Sequence, residues 1–363
     1  MGNTIFFKKL KALYPPYNSY TKMIHKLTNL TFPPSKKQKL DKYNGNYTFL
    51  FHGNCIDGWF SAYIAHIAIK EKNPTGFIHM YPISPSQTNT WPSIHQMTGT
   101  HILLLDVSVQ KQYRDEWLQG GALSVDCIDH HATSIEHWPE NCPINTESCA
   151  ALQTWVHYFP KSEIPFWLHH IDRVDRWDNP TYEDRCMREV LNTIAHKPVQ
   201  KKIDEAFKMT DQFLMNIGNE IGLSVIIGHG KTILETKDAE LVHILSRGSI
   251  HFFTDDYIQG WKLPESWLNL NVFIIDNTGI TLDTTEAAHI IFEHNSNIDV
   301  FINYRKKYDK ISKKMIYTYS ARSRKFDVTI GTILKGHPYS AGASVPRLIG
   351  ETLPFLLNDD MRY

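Results

Sequence analysis

Several short clusters in this chain combine histidine, aspartate and cysteine at spacings that suit cation chemistry. The first is His52-Gly53-Asn54-Cys55-Ile56-Asp57-Gly58. A ligand-bearing turn with a glycine that lets backbone approach closely suits a metal or a phosphate. Equally, it is a polar strand-to-helix turn in which Asp57 caps the helix. Asp106 closes the apolar run Ile102–Leu105. A carboxylate there is costly unless it meets a cation or a donor, or caps the next helix. Asp129-His130-His131 is the most specific of the set. Three adjacent side chains divide labour: one imidazole ligates, its neighbour faces substrate, and the aspartate ligates or orients. Asp172-Arg173-Val174-Asp175-Arg176-Trp177-Asp178 adds carboxylates, which read either as ligands or as a helix end with internal ion pairs. The pair His169-His170 reads as a surface or partly buried helical pair.

Two further clusters suit anions. Ser320-Ala321-Arg322-Ser323 flanks a planar guanidinium with hydroxyls, a good match to phosphate oxygens. Gly336-His337-Pro338-Tyr339-Ser340-Ala341-Gly342-Ala343-Ser344 is small enough for backbone N–H groups to reach an anion. A following helix would aim its N-terminus there.

These clusters need elements to bring them together. Strands are expected at Tyr47–His52, Ile102–Leu105 and Ser124–Ile128, alternating with helices at Asp57–Lys70 and through Trp117. Helices follow at Ser148–Tyr158, Ile164–Ile171 and Asp184–Ile194. Strand–helix alternation implies a mainly parallel sheet, with its ligand site beyond the carboxyl ends of the strands. His52, Asp106 and Asp129-His130-His131 all sit at such ends. Residues 199–265 read as a helical connector interrupted by glycines 218, 222, 228 and 230. A second α/β unit follows: strands at Asn271–Ile275, Ile298–Asn303 and Met315–Tyr319, and helices at Glu286–His294, Val328–Leu334 and Val345–Leu357. The fold class is therefore α/β, a parallel-sheet domain (45–198) joined through the connector to a smaller mixed-sheet domain (266–363), with the site in the cleft between them.

Composition narrows the alternatives. With 363 residues, 42% of them hydrophobic, the chain can bury two cores. No apolar run is long enough to span a bilayer and no signal-peptide pattern appears, so a soluble, cytoplasmic protein is expected. Five cysteines (55, 127, 142, 149, 186), none spaced C-x-x-C, indicate neither a disulfide framework nor a structural zinc site. Nine lysines and one acid give residues 1–44 a charge of +8, balanced by −8 over the rest. This segment is read as a partly disordered extension, with weak nucleic-acid contact as the sharper option. The acidic remainder argues against a broad basic surface for long nucleic acid.

Taken in order, the motifs resemble those of the DHH phosphoesterase superfamily with its DHH-associated C-terminal domain. The likeness runs over roughly residues 46–363. It rests on His52…Asp57-Gly58, Asp106, Asp129-His130-His131 and Asp175-Arg176-Trp177, then Ser320-x-Arg322-Ser323 with Gly336-His337 and Ala341-Gly342. It implies a hydrolase using two divalent ions ~3.5–4 Å apart, Mn²⁺ first, with Mg²⁺ or Co²⁺ as alternatives. Asp106 is expected to bridge them, with Asp57, His130 and Asp175 on one ion and His52 and Cys55 on the other. His131 would contact the phosphoryl group or protonate the leaving group, and Asp129 would stand behind it. Ser320, Arg322, Ser323, Gly336 and His337 would grip a terminal phosphate. The implied substrate is a small nucleotide or short single-stranded oligonucleotide, and oligomeric state is left open, a dimer included.

The sequence departs from the family in two places. Cys55 stands where an aspartate is usual, and a thiolate there would favour softer cations. Leu334-Lys335 shorten the glycine-rich loop. Three other readings are carried: an exopolyphosphatase, a catalytically impaired nucleotide- or phosphate-binding protein, and a redox-sensitive thiol at Cys55. Whether Asp172 or Asp175 serves as the fourth-motif ligand also stays open.

Overall fold

The computed structural model describes residues 45–84, 88, 91–138, 144–178, 180–195, 203–217, 220–252, 265–309, 314–324, 335–337 and 340–347. The expected basic extension (1–44) and the expected helix at 328–334 lie outside them.

The first sheet has the strands β1 (Asn46–His52), β2 (Ile78–Ile83), β3 (Thr100–Leu105) and β4 (Ser124–Ile128), ordered β2-β1-β3-β4. All pairs are parallel. Helices α1 (Ile56–Lys72), α2 (Ile94–Met97) and α3 (Lys111–Gln119) lie along the three crossovers. Alternate strand residues serve two cores, as a sheet covered on both faces requires. Phe49, Phe51, Leu103 and Leu105 pack with Trp59 and Phe60 of α1. Leu50, Ile102 and Leu104 pack with Trp117 of α3. Each such fully buried side chain contributes about 1.5–3 kcal/mol.

β2 was not expected from the sequence. Its run Ile-His-Met-Tyr-Pro-Ile lacks a clean alternation, and Pro82 cannot donate to a ladder. It is tolerated because β2 is an edge strand. The order places the sheet's reversal between β1 and β3. That is the position at which open α/β sheets leave a crevice.

After β4, helices α4 (Ala150–Tyr158), α5 (Phe166–Asp175) and α6 (Tyr182–Ala195) complete the first lobe. The connector consists of α7 (Ile203–Ile217) and α8 (Glu220–Leu245). Glycines 222, 228 and 230 lie within α8 rather than interrupting it. At Gly230 a Cβ would lie 2.0 Å from the Cys186 carbonyl, so only glycine permits the close crossing of α8 on α6.

The second sheet is mixed, ordered β5-β6-β7-β8-β10-β9. Its strands are β5 (Ser249–Phe252), β6 (Asn271–Asp276), β7 (Val300–Asp309), β8 (Lys314–Ser323), β9 (Lys335–His337) and β10 (Ser340–Arg347). Helix α9 (Thr284–His294) makes the parallel crossover from β6 to β7. β5 falls inside the stretch expected to be purely helical connector, and pairs antiparallel with β6. The last stretch also corrects the sequence reading. Within the expected loop Gly336–Ser344, residues 336–337 of β9 and the start of β10 pair antiparallel, and residues 345–347, expected to begin a helix, extend β10 against β8. Ladder hydrogen bonds to a neighbouring strand override the local helical pattern.

Buried ion pairs tie α6 to α8 and α9. Arg185 meets Glu286 (Nε–Oε2 2.7 Å), Glu293 and Asp238. Arg188 meets Glu189 (2.8 Å), Asp283 (2.6 Å) and Glu286 (3.1 Å), and Lys237 also pairs with Glu189.

Candidate metal centre

The strand ends deliver the expected side chains to one point. His52 closes β1, and Asp106 follows β3 in a left-handed conformation (φ 56°) that a non-glycine residue rarely adopts. Helix α3 begins only at Lys111, with Gln110 before it, so Asp106 is not that helix's cap. Its two oxygens are shared: Oδ2 lies 3.2 Å from His52 Nδ1, and Oδ1 lies 3.2 Å from His130 Nε2. The same His130 nitrogen is 3.4 Å from Asp57 Oδ2 and 3.1 Å from Asp175 Oδ2. Gly58 is required beside His52, because a Cβ there would meet the His52 carbonyl oxygen at 2.3 Å.

Asp57 does two things at once. Its oxygens accept from the amides of Ala150 (2.8 Å) and Ala151 (2.6 Å), satisfying the N-terminus of α4 rather than of its own helix. Those amides hold the carboxylate rigidly beside His130. Asp172 accepts from the Cys149 amide (2.6 Å) and pairs with Arg176 (2.8 and 2.9 Å), so its oxygens are committed away from the cluster. Asp175 is the member of the fourth motif that reaches it.

Potential ligand atoms fall into three sets, each within 4.8 Å: His52, Cys55 and Asp106; Asp57, His130 and Asp175; and Asp106, Asp129, His130 and His131. Without a cation these groups are poorly compensated. One imidazole nitrogen faces three carboxylates, and the buried Asp175 Oδ2 has no hydrogen-bond donor. Burial and the neighbouring carboxylates push Asp57 well above the usual carboxylate range. Burial likewise raises Asp175, against the pull of His130. Burial would raise Asp106 as well, but hydrogen bonds from His130 and His52 hold it well below. Burial and then Asp106, Asp175 and Asp57 push the Cys55 thiol well up, which disfavours a reactive thiolate. A divalent cation would relieve this crowding of anions, and the oxygen–imidazole donor set fits one. The set containing Cys55 is the softest of the three.

Beside the cluster, His131 Nδ1 lies 2.7 Å from Asp129 Oδ1, and Asp129 Oδ2 accepts from Ser134 (2.8 Å). Burial works against the imidazolium, yet the Asp129 carboxylate raises His131 to about 10. The Asp129 carboxylate thus favours the imidazolium form.

The facing wall comes from the second lobe. A cavity of about 440 Å³ is lined by His52, Cys55 and Asp175 on one side and by Arg322, Arg188 and Thr285 on another. Arg322 is half-buried, donates to the Ala321 carbonyl (2.8 Å) and Thr285 Oγ1 (3.1 Å), and leaves a buried Nε without a partner. No carboxylate among the described residues forms an ion pair with it, and burial lowers it to about 10. Its guanidinium stands 5.6 Å from the Trp177 ring, and the Trp177 indole donates to the Ser323 carbonyl (3.2 Å). Trp177, two residues beyond Asp175, is thus packed into the core of the second lobe. Of the other expected anion contacts, Ser320 does not line this cavity. Ser323 is buried on the opposite face of β8 from Arg322, with its hydroxyl lacking a partner. Gly336 and His337 lie in β9; the His337 side chain is outside the described residues.

Sequence reasoning missed Ser134, Arg188 and Thr285. Asp283 followed by Thr284-Thr285-Glu286 is a readable N-cap signature, and Asp283 does accept from the amides of Thr285 and Glu286. Nothing local marks Arg188, a buried cation on a helix of ordinary composition.

No protein-family model matches the sequence, and no curated protein matches it. Solved structures do resemble it. A pGpG-specific phosphodiesterase, PggH from Vibrio cholerae, aligns at 11% identity and TM-score 0.41, over 83% of this chain and 93% of that one. A DHH domain from a protein described as belonging to a family of ribosomal proteins aligns at 11% and 0.45, over 90% and 86%. RecJ from Thermus thermophilus in complex with Mn²⁺ aligns at 12% and 0.37, over 82% of this chain and 49% of RecJ. These three structures align over 82–90% of this chain.

Proposed function

We propose that this protein is a divalent-metal-dependent phosphoesterase that cleaves phosphodiester or terminal phosphate bonds in small nucleotides or short oligonucleotides. The observation that carries the reading is the convergence of His52, Cys55, Asp57, Asp106, His130 and Asp175 at the sheet's switch point. Across the cavity from them stands Arg322, a half-buried arginine with no acidic partner among the described residues.

In this reading Asp57, His130 and Asp175 would hold one cation and His52 and Cys55 the other, with Asp106 a donor within reach of either. Mn²⁺-class ions held there supply Lewis acidity and lower the pKa of water toward neutrality. The chain's own groups do the rest. Asp129, fixed by Ser134, aims His131 by its Nδ1 and favours its imidazolium form. That imidazolium neutralises a phosphoryl oxygen or delivers a proton to the departing one. Arg322 meets a substrate phosphate with two donors in one plane, and a half-buried cation with no carboxylate ion pair among the described residues is left open to an anion. Trp177 holds the guanidinium in place from the first lobe.

The exopolyphosphatase reading fares less well. Arg188, the cavity's other arginine, is already paired with Asp283, Glu189 and Glu286. One uncompensated arginine suits a nucleotide phosphate better than a polyanionic chain.

Purified protein with Mn²⁺, Mg²⁺ or Co²⁺, screened against short RNA, adenosine 3′,5′-bisphosphate, a cyclic dinucleotide and polyphosphate, tests the assignment. Hydrolysis of a nucleotide substrate, lost in Asp106→Ala, is the expected result. Metal bound with no turnover on any substrate would leave a phosphate-binding protein instead.

A further inference from the structure

The third wall of the cavity is neither metal-facing nor cationic. Helix α5 contributes His170, Ile171 and Val174 to it, and α6 contributes Leu191 and Asn192. These are one face of each helix, since residues three and four apart stack along a helix. Ile171 and Leu191 are also members of the first lobe's core, so the aliphatic floor is rigid.

His170 is set into that floor in a defined orientation. Its Nδ1 is bonded to the buried carboxylate of Asp184, which is fixed in turn by Arg173 Nε (2.8 Å) and the Thr181 amide (2.7 Å). Nε2, the other ring nitrogen, makes no hydrogen bond among the described residues while the ring lines the cavity. An imidazole clamped from behind by a buried carboxylate presents one nitrogen, in a fixed direction, to whatever occupies the space.

We propose that this wall is a nucleoside subsite. A heterocycle or ribose lies on Ile171, Val174 and Leu191, and His170 Nε2 and the Asn192 carboxamide read its polar edge. The chemistry is that of small-molecule sites generally: an apolar surface with a few placed polar groups, in a cavity within the usual range of about 300–1,000 Å³. A phosphate chain has nothing to offer three aliphatic side chains. A nucleoside joined to the reacting phosphate offers a flat apolar face and hydrogen-bonding edges together. The proposal rests on the phosphoesterase reading and names the group that reading leaves open.

The test compares a dinucleotide with bis(4-nitrophenyl) phosphate, a diester with no nucleoside, in the full-length protein with Mn²⁺. Two variants are measured: His170→Gln, which keeps a donor for Asp184, and Asn192→Ala, at a partly exposed position. In both, KM for the dinucleotide rises about tenfold, as expected when a site loses a hydrogen bond built for its ligand. KM for the nitrophenyl diester stays within about twofold, as expected where no such bond is made, and bound Mn²⁺ is unchanged. Equal losses on both substrates, or none on either, overturn the proposal and leave these residues as helix packing. Wild type that cleaves the nitrophenyl diester but no nucleotide overturns the nucleoside while sparing the phosphoesterase. Wild type inactive on both removes the reading beneath and the proposal with it.

Discussion

At the carboxyl end of the first sheet, separate chain segments bring His52, Cys55, Asp57, Asp106, His130 and Asp175 to one point. At the end of an inner strand of the second sheet, the expected cluster Ser320–Ser323 delivers Arg322 alone. The difference follows from strand direction. In a parallel sheet every β-to-α turn opens toward the same side, so each new strand end adds to one crevice. Along an antiparallel strand, neighbouring side chains alternate between faces, so Arg322 and Ser323 cannot serve the same cavity. Motif adjacency in sequence is therefore a weaker guide in β8 than motif separation is in the first sheet.

Substitutions at the two ends should behave differently. The largest expected effect is at Asp106, which touches both halves of the metal cluster. Asp106→Asn keeps a residue tolerant of the left-handed backbone. It should lower kcat by about 10³-fold, roughly 4 kcal/mol of transition-state stabilisation, with the fold intact by circular dichroism. A loss under tenfold would remove Asp106 from the centre of the reaction.

Arg188→Met and Arg322→Met form a contrasting pair. Removing Arg188 takes the arginine from Asp283 and leaves Glu189 with Lys237 and Glu286 with Arg185 alone, and urea denaturation should show a loss of about 3–5 kcal/mol. Removing Arg322 strands no carboxylate. Its variant should melt at or above wild type, while KM for a nucleotide substrate rises about tenfold or more. Equal destabilisation of both variants would show that Arg322 is a structural cation like Arg188.

Cys55→Asp sharpens the comparison within the metal cluster itself. Replacing the soft sulfur with a carboxylate should move the preference toward Mn²⁺ and Mg²⁺ and away from Zn²⁺ and Cd²⁺, by about tenfold in relative activation. Titrating each metal into chelator-stripped protein measures this. An unchanged order would mean the thiol does not ligate. The smallest effect is expected at Ser323→Ala. Facing away from the cavity, Ser323 should leave KM within about twofold of wild type, and a larger rise would mean that β8 turns its other face to substrate.

A stability prediction concerns the clamp behind His170. Burial works against the Asp184 carboxylate, but His170 and Arg173 hold it below the ordinary range. Its stabilisation is therefore complete above the unfolded carboxylate value, about 3.9, and is lost as pH falls through the lower folded value. Asp184→Asn should flatten that acid limb of the stability curve, read by chemical denaturation from pH 7 to pH 3. An unaltered acid limb would place the protonation elsewhere.

Much of the first lobe was legible because burial writes itself into a parallel sheet. Phe49-Leu50-Phe51 and Ile102–Leu105 are continuous apolar runs, and each ends on a polar residue where the sheet stops. The edge strand Ile78–Ile83 was not legible, since half of it meets solvent and it contains Pro82. Residues 345–347 were misread for a related reason: their pairing partner is β8, residues 315–317, and no local pattern announces a distant ladder.

The sequence by itself determined which side chains could hold a cation, and that they lie at the ends of strands. Tertiary structure alone decided the remaining choices, because each depends on which donors lie nearby rather than on residue type. Asp172 and Asp175 are both acids on one helix. The Cys149 amide and Arg176 occupy the first, which leaves the second for the cluster. His130 and His131 are adjacent imidazoles: three carboxylates surround one, and Asp129 claims the other. His170, set aside as an ordinary helical residue, gained its place in the cleft only when α5 and α6 crossed.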